Sequence, residues 1–259
     1  MDRIDTVAVT RQTAYLLRNR GRALLCPTTF LGVGFLLANM ARWLFPGVYV
    51  FDPFDMAWLL IPEALWIGPV LALLHYRLLD PGHPFARTDE QRWLKFGKAV
   101  AYAYVLAMLY LVGLFAATRG IPALAGYLFG PVIARFYPLM VVAVAVLLLF
   151  GYVRLFFSFA FLAGEVREPM VRSILLSKGN ARKIVSCLLL PSVPVLIPWM
   201  ALAAFAGDWL DPTGGASLRP VAVFVRTALQ TVGAVLLSAG LCATYEALIA
   251  LKGDDEYLA

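Results

Sequence analysis

Apolar residues run in six long stretches, at 23–44, 56–76, 99–118, 132–163, 184–206 and 221–250, and polar residues gather in the connections between them. Each stretch reaches the roughly 20 residues that a helix needs to cross about 30 Å of hydrocarbon. Glycine and proline recur inside the stretches, which membrane helices tolerate and soluble helices mostly do not. The pattern predicts an all-α integral membrane bundle of six spans, and an even number of crossings leaves both termini on one side.

Positive charge chooses that side. Lysine and arginine number five before the first span (Arg3, Arg11, Arg18, Arg20, Arg22) and five between spans two and three (Arg77, Arg87, Arg92, Lys95, Lys98). Six more flank the connection after span four (Arg154, Arg167, Arg172, Lys178, Arg182, Lys183), and Lys252 follows the last span. The remaining five, Arg42, Arg119, Arg135, Arg219 and Arg226, lie at or near the opposite ends. Positive residues are retained in the cytoplasm, so the expected topology is N-in and C-in, in a bacterial-type inner membrane. Aromatic residues fit the same frame as interfacial belts. Trp43, Tyr49, Trp58, Tyr127, Tyr137, Trp199 and Trp209 fall near outer ends, and Tyr15, Tyr76, Trp93 and Tyr245 near inner ends.

Composition sharpens the contrast with soluble folds: 61% of residues are hydrophobic and 15% charged, against roughly half and a quarter in soluble domains. The net charge of +6 follows from topology and forms no basic patch on a soluble face, so nucleic acid is not an expected partner. Residues 1–22 hold no short apolar core ahead of a cleavage site, and the first span is expected to stay as an anchor. The expected organisation is a cytoplasmic amphipathic segment at 1–22, one six-span domain at 23–251 and a tail at 252–259.

Two cytoplasmic segments read as helices lying in the interface. Ile4 to Arg20 mixes Ile4, Val7, Ala14 and Leu17 with Arg11, Arg18 and Arg20. The second, between spans four and five, opens on Pro169, repeats Met170, Val171, Ile174 and Leu175 at helical spacing and is placed to stop at Gly179, with Asn180 capping the next helix. Arg154, near the inner boundary of span four, together with Arg172, Arg182 and Lys183, is a candidate for contact with anionic lipid headgroups. Docking of a cytosolic partner is the other use of such segments.

The run Tyr152-Val-Arg-Leu-Phe-Phe-Ser-Phe-Ala-Phe-Leu-Ala-Gly-Glu165, then Glu168-Pro-Met-Val-Arg-Ser173, Leu176-Ser-Lys-Gly-Asn180 and Arg182-Lys-Ile184, resembles a known signature. It is similar to that of the membrane domain of glycerophosphoryl diester phosphodiesterases and of related stand-alone multi-pass bacterial inner-membrane proteins. Leu16-Leu-Arg-Asn-Arg20 resembles the segment leading into that domain. Ile174 stands where the family usually has tryptophan, and Ser177 where it has threonine. The resemblance implies a fold and a location. The phosphodiesterase chemistry belongs to a separate barrel domain, for which the chain leaves no room.

A search for chemistry finds little. His75 and His83 are eight apart and share no helix face as a metal pair, and both are expected at the cytoplasmic interface. Cys26, Cys187 and Cys242 are an odd set inside apolar stretches, without CxxC spacing, which suits helix contact better than disulfides or zinc. No nucleophile elbow, phosphate loop or dinucleotide fingerprint occurs. No catalytic residue, metal or cofactor is expected.

Ionisable groups inside spans stand out, because a charge at mid-depth costs at least about 2.5–3.5 kcal/mol unless paired or hydrated. Glu63, Arg135 and Arg226 are all displaced toward the outer face, and Gln230 is one turn from Arg226. A cluster of Glu63 with Arg135 or Arg226, completed by Gln230, either clamps helices or holds an anionic headgroup or solute; outward snorkelling of the arginines is the alternative. Pro191, Pro194 and Pro198 predict a broken or strongly kinked span five. Ala234, Ser238 and Cys242, with Ala239 and Ala243, form a small-residue seam facing either the bundle or another subunit. The expected function is a non-enzymatic accessory, scaffolding or lipid-interacting membrane component, partnered by lipids and by a membrane protein or a second copy. The alternative is a small transporter or permease component.

Overall fold

The computed structural model describes residues 4–44, 53–79, 88–115, 120, 123, 126–127, 157–163, 169–205 and 219–252. Its helices are α1 (Thr6–Leu44), α2 (Pro53–Leu79), α3 (Asp89–Phe115), α4 (Ser158–Ala163), α5 (Pro169–Ser177), α6 (Ala181–Phe205) and α7 (Arg219–Lys252). No strand occurs among the described residues, so the chain is all-α there. The stretches over Thr6–Ala41 and Val223–Leu251 are long and apolar enough to cross a membrane.

Local chemistry sets the helix ends. The Asp5 carboxylate accepts the Val7 N–H at 2.9 Å and opens α1. The Thr88 hydroxyl accepts the Gln91 N–H at 3.2 Å, and Asp89 and Glu90 occupy the first turn of α3, where the helix dipole favours negative charge. Prolines open α2 and α5, where a missing N–H costs nothing. α5 ends before Gly179, whose φ of +82° is a left-handed conformation that side chains resist.

Two expected interruptions are absent. The segment Ile4–Arg20 is not a separate helix in an interface: it continues into the first apolar stretch as one helix of 39 residues, about 58 Å long at 1.5 Å per residue. Ile4, Val9, Thr13 and Leu16 are buried on this part of α1, so it is held within the bundle. α6 runs unbroken through Pro191, Pro194 and Pro198. Gly240 of α7 comes up against the Cys187 carbonyl, which Pro191 cannot engage.

α1 lies along α7, and hydrogen bonds at both ends of the pair, Gln12 to Glu246 and Asn39 to Gln230, make the two antiparallel. α6 packs against α7 and α1, and α2 packs against α1 and α3. α4 sits among α2, α3, α5 and α7. The six residues Phe157–Leu162 are buried on every side. A short helix with no polar face belongs at the centre of a fold. Aromatic rings pack around it: Phe161 meets Tyr245 edge-on at 5.1 Å, Phe159 meets Tyr102 at 6.4 Å, and the His75 ring stacks on Phe159 at 5.8 Å.

This centre corrects three expectations. His75, Tyr76 and Tyr245 are core residues rather than interfacial ones, because His75 and Tyr245 are drawn against α4 and Tyr76 shares the buried end of α2. Tyr15, Trp93 and Tyr127 are exposed. His83, Tyr49, Tyr137 and Trp209 lie outside the described residues, as do the side chains of Trp43, Trp58 and Trp199.

α2 and α3 meet backbone on backbone. A β-carbon on Gly68 of α2 would stand 2.6 Å from the Ala99 carbonyl oxygen and 2.9 Å from Val100 Cα of α3. No rotamer change relieves such a clash. Gly68→Ala is therefore expected to destabilise the purified full-length protein by about 1–3 kcal/mol. Gly97→Ala, where the added methyl meets nothing within 4 Å, is expected to be neutral or stabilising by about 0.5–1 kcal/mol. Thermal unfolding of both variants in one detergent checks the pair.

Candidate functional site

Side-chain hydrogen bonds join α1 to α7 at two places. At one end Asn39 of α1 is 1% exposed. Its amide donates to Gln230 Oε1 at 2.7 Å and to Thr227 Oγ1 at 3.1 Å, both on α7. Thr231, a turn beyond Thr227, donates to the Thr227 carbonyl at 2.8 Å. Three helix positions, 227, 230 and 231, thus share the face turned to α1.

Asn39 Oδ1 is buried without a hydrogen-bond partner. Turning the amide over exchanges which atom is left over and does not remove the shortfall.

Gln230 is in the polar contact, and Arg226, half-buried, is its neighbour one turn back on α7. The Glu63 side chain and the whole of Arg135 lie outside the described residues, as does Arg154. Asn39 is the member that sequence reading did not select. Its signal was a single amide inside an otherwise apolar stretch, weaker to the eye than a charge and subject to the same need for a partner.

At the other end of the α1–α7 pair, Gln12 Nε2 donates to Glu246 Oε2 at 3.0 Å. Beside this bond a cleft of about 430 Å³ opens between Ile4, Asp5, Ala8 and Val9 of the α1 end and Ala243, Ala247 and Leu251 of α7. The cleft is apolar with Asp5, Gln12 and Glu246 as its polar groups. Between the two ends, Ser238, Ala239, Cys242 and Ala243 are buried, so the small-residue seam faces the interior of the bundle, where it allows close approach of helices.

His75 lies near the middle of the fold. Its Nδ1 is 2.7 Å from the Leu71 carbonyl oxygen, and Cys242 Sγ is 4.0 Å from the His75 carbonyl oxygen. Among the described residues no group of three or more metal-ligating side chains comes together. All three cysteines are free, Cys26 exposed and Cys187 and Cys242 buried. Of the expected headgroup contacts, Arg182 and Lys183 are exposed and Arg172 is half-buried.

The Asn39 contact offers amides and hydroxyls, which bind and orient without attacking a substrate. Its contribution is separable by a double-mutant cycle. Asn39→Ala and Gln230→Ala are each expected to lower stability, with a coupling energy of about 0.5–1.5 kcal/mol; denaturation of the two single variants and the double variant measures it.

No family model, curated protein or solved structure matches the chain, so its function is read from its own residues.

Proposed function

We propose that the chain is a non-enzymatic multi-pass inner-membrane protein, with six spans and both termini cytoplasmic, that serves as an accessory, scaffolding or lipid-interacting component. The observation that carries this reading is the outward direction of apolar side chains along the helices. Leu25 and Leu37 of α1, Leu109 and Val112 of α3, Leu190 and Ile197 of α6, and Phe224 and Val232 of α7 are all exposed. Thr13, Asn39, Ser192 and Ser238 are buried. A large apolar exterior of this kind marks a surface that meets something other than water. With lipid as that partner, the remaining apolar stretches at 56–76, 99–118, 132–163 and 184–206 complete six crossings, and the basic connections orient them.

On this reading the chain stands with the stand-alone members of the membrane-domain family that its 152–184 region resembles. Charged residues that end up outside the bilayer would then include Arg11, Arg18 and Arg22, all exposed on the first turns of α1.

A second reading, a small transporter or permease component, draws on the Asn39 contact, which places several polar side chains together between two apolar helices. It predicts that Glu63→Gln abolishes uptake while the protein still folds; normal transport by that variant removes Glu63 as the coupling residue.

For the main reading, the protein is expected to stay with membranes through alkaline carbonate washing. A periplasm-active phosphatase fused to either terminus is expected to be inactive, and a cytoplasm-active fluorescent reporter to be bright. Release by carbonate, or phosphatase activity at one terminus, overturns the membrane assignment or the even number of crossings respectively.

A further inference from the structure

α5 is turned inside out. Val171, Ile174 and Leu175, which share one face at helical spacing, are 51%, 45% and 44% exposed. Ser173, Leu176 and Ser177 on the other face are fully buried, and the Ser177 hydroxyl is absorbed by the Ile174 carbonyl at 3.0 Å. A helix on a water-facing surface would present its serines outward and its branched apolar residues inward.

The exposed stripe is bordered by positive charge. Lys178 follows the last turn of α5, Gly179 reverses the chain, and Arg182 and Lys183 stand exposed on the first turn of α6. No acidic residue falls between Pro169 and Phe205. An apolar strip with Lys178, Arg182 and Lys183 at its C-terminal border is complementary to a hydrocarbon layer under negatively charged headgroups.

We infer that α5 and the start of α6 form a docking surface for anionic phospholipids of the cytoplasmic leaflet, with Val171, Ile174 and Leu175 immersed below the headgroups and Lys178, Arg182 and Lys183 paired with lipid phosphates. The inference rests on the membrane reading above and adds the lipid class and the residues that select it. α5 also packs on α4, so lipid seated on its outer face braces the helix at the centre of the bundle.

The test uses full-length protein with Cys26→Ser and Ile174→Cys, spin-labelled at position 174 and reconstituted in vesicles of phosphatidylcholine with or without phosphatidylglycerol. The label is expected to be more accessible to oxygen than to a water-soluble nickel chelate, at a depth of about 5–10 Å below the headgroups. Phosphatidylglycerol retained through detergent purification is expected to fall about tenfold in a Lys178→Gln, Arg182→Gln, Lys183→Gln variant. Preferential access of nickel at position 174 overturns the inference, and so does equal phosphatidylglycerol retention by the variant. A cytosolic protein that shields position 174 without lipid also overturns it. Carbonate extraction of the same samples separates the two levels: resistant protein with a water-exposed label defeats the lipid site alone, whereas extracted protein defeats the membrane reading beneath it.

Discussion

Six consecutive residues with no outward face impose the arrangement of everything around them. Phe157–Leu162 have to be covered on all sides, and among the described residues α2, α3, α5 and α7 pack against them. The aromatic rings that line this enclosure come from separate parts of the chain, and His75, Tyr102 and Tyr245 each lose freedom to settle against it. An enclosure built this way tolerates little change in volume, since interiors are packed at crystal-like density.

On the membrane reading, cohesion around that centre comes from proximity more than from apolar character. When the outside of a bundle is as apolar as the inside, burial of hydrocarbon distinguishes poorly between the two, and close backbone approach and hydrogen bonds gain weight. Gly68 against Ala99 provides the first, and Asn39 with Thr227 and Gln230 the second. The two devices act at different contacts: glycine brings α2 onto α3, and the amide ties α1 to α7. A third contact, α6 on α7, uses the space that proline and glycine leave open at Pro191 and Gly240.

Much of the helical layout could be read from sequence, because length, apolar runs and caps are local properties. The expected helices at 23–44, 56–76, 99–118, 184–206 and 221–250 fall on α1, α2, α3, α6 and α7, and the expected helix from Pro169 to Gly179 on α5. What failed was whatever depended on neighbours. The arginines of Ile4–Arg20 suggested a helix in the headgroup plane, yet the buried stripe Ile4, Val9, Thr13 and Leu16 finds α7 to pack against and the helix continues. Three prolines predict a broken or strongly kinked span, and α6 is continuous through them, since each removes only a single backbone donor. Of the candidate site, Gln230 was legible by its spacing from Arg226, while Asn39 was not, because its partners are 188 and 191 residues away in the chain. The inverted face of α5 was equally hidden: periodicity names the stripe and only tertiary contact says which way it points.

The pairing of α1 with α7 has a mechanical side. Each helix is longer than a bilayer core is thick, and side-chain bonds clasp the two near both extremities, Gln12 to Glu246 and Asn39 to Gln230. Two rods clasped at both ends resist sliding past one another, and a twist applied to either extremity is transmitted along the shaft rather than dissipated in a joint. The cleft beside Gln12 and the Asn39 contact thus sit at opposite ends of one continuous helix pair.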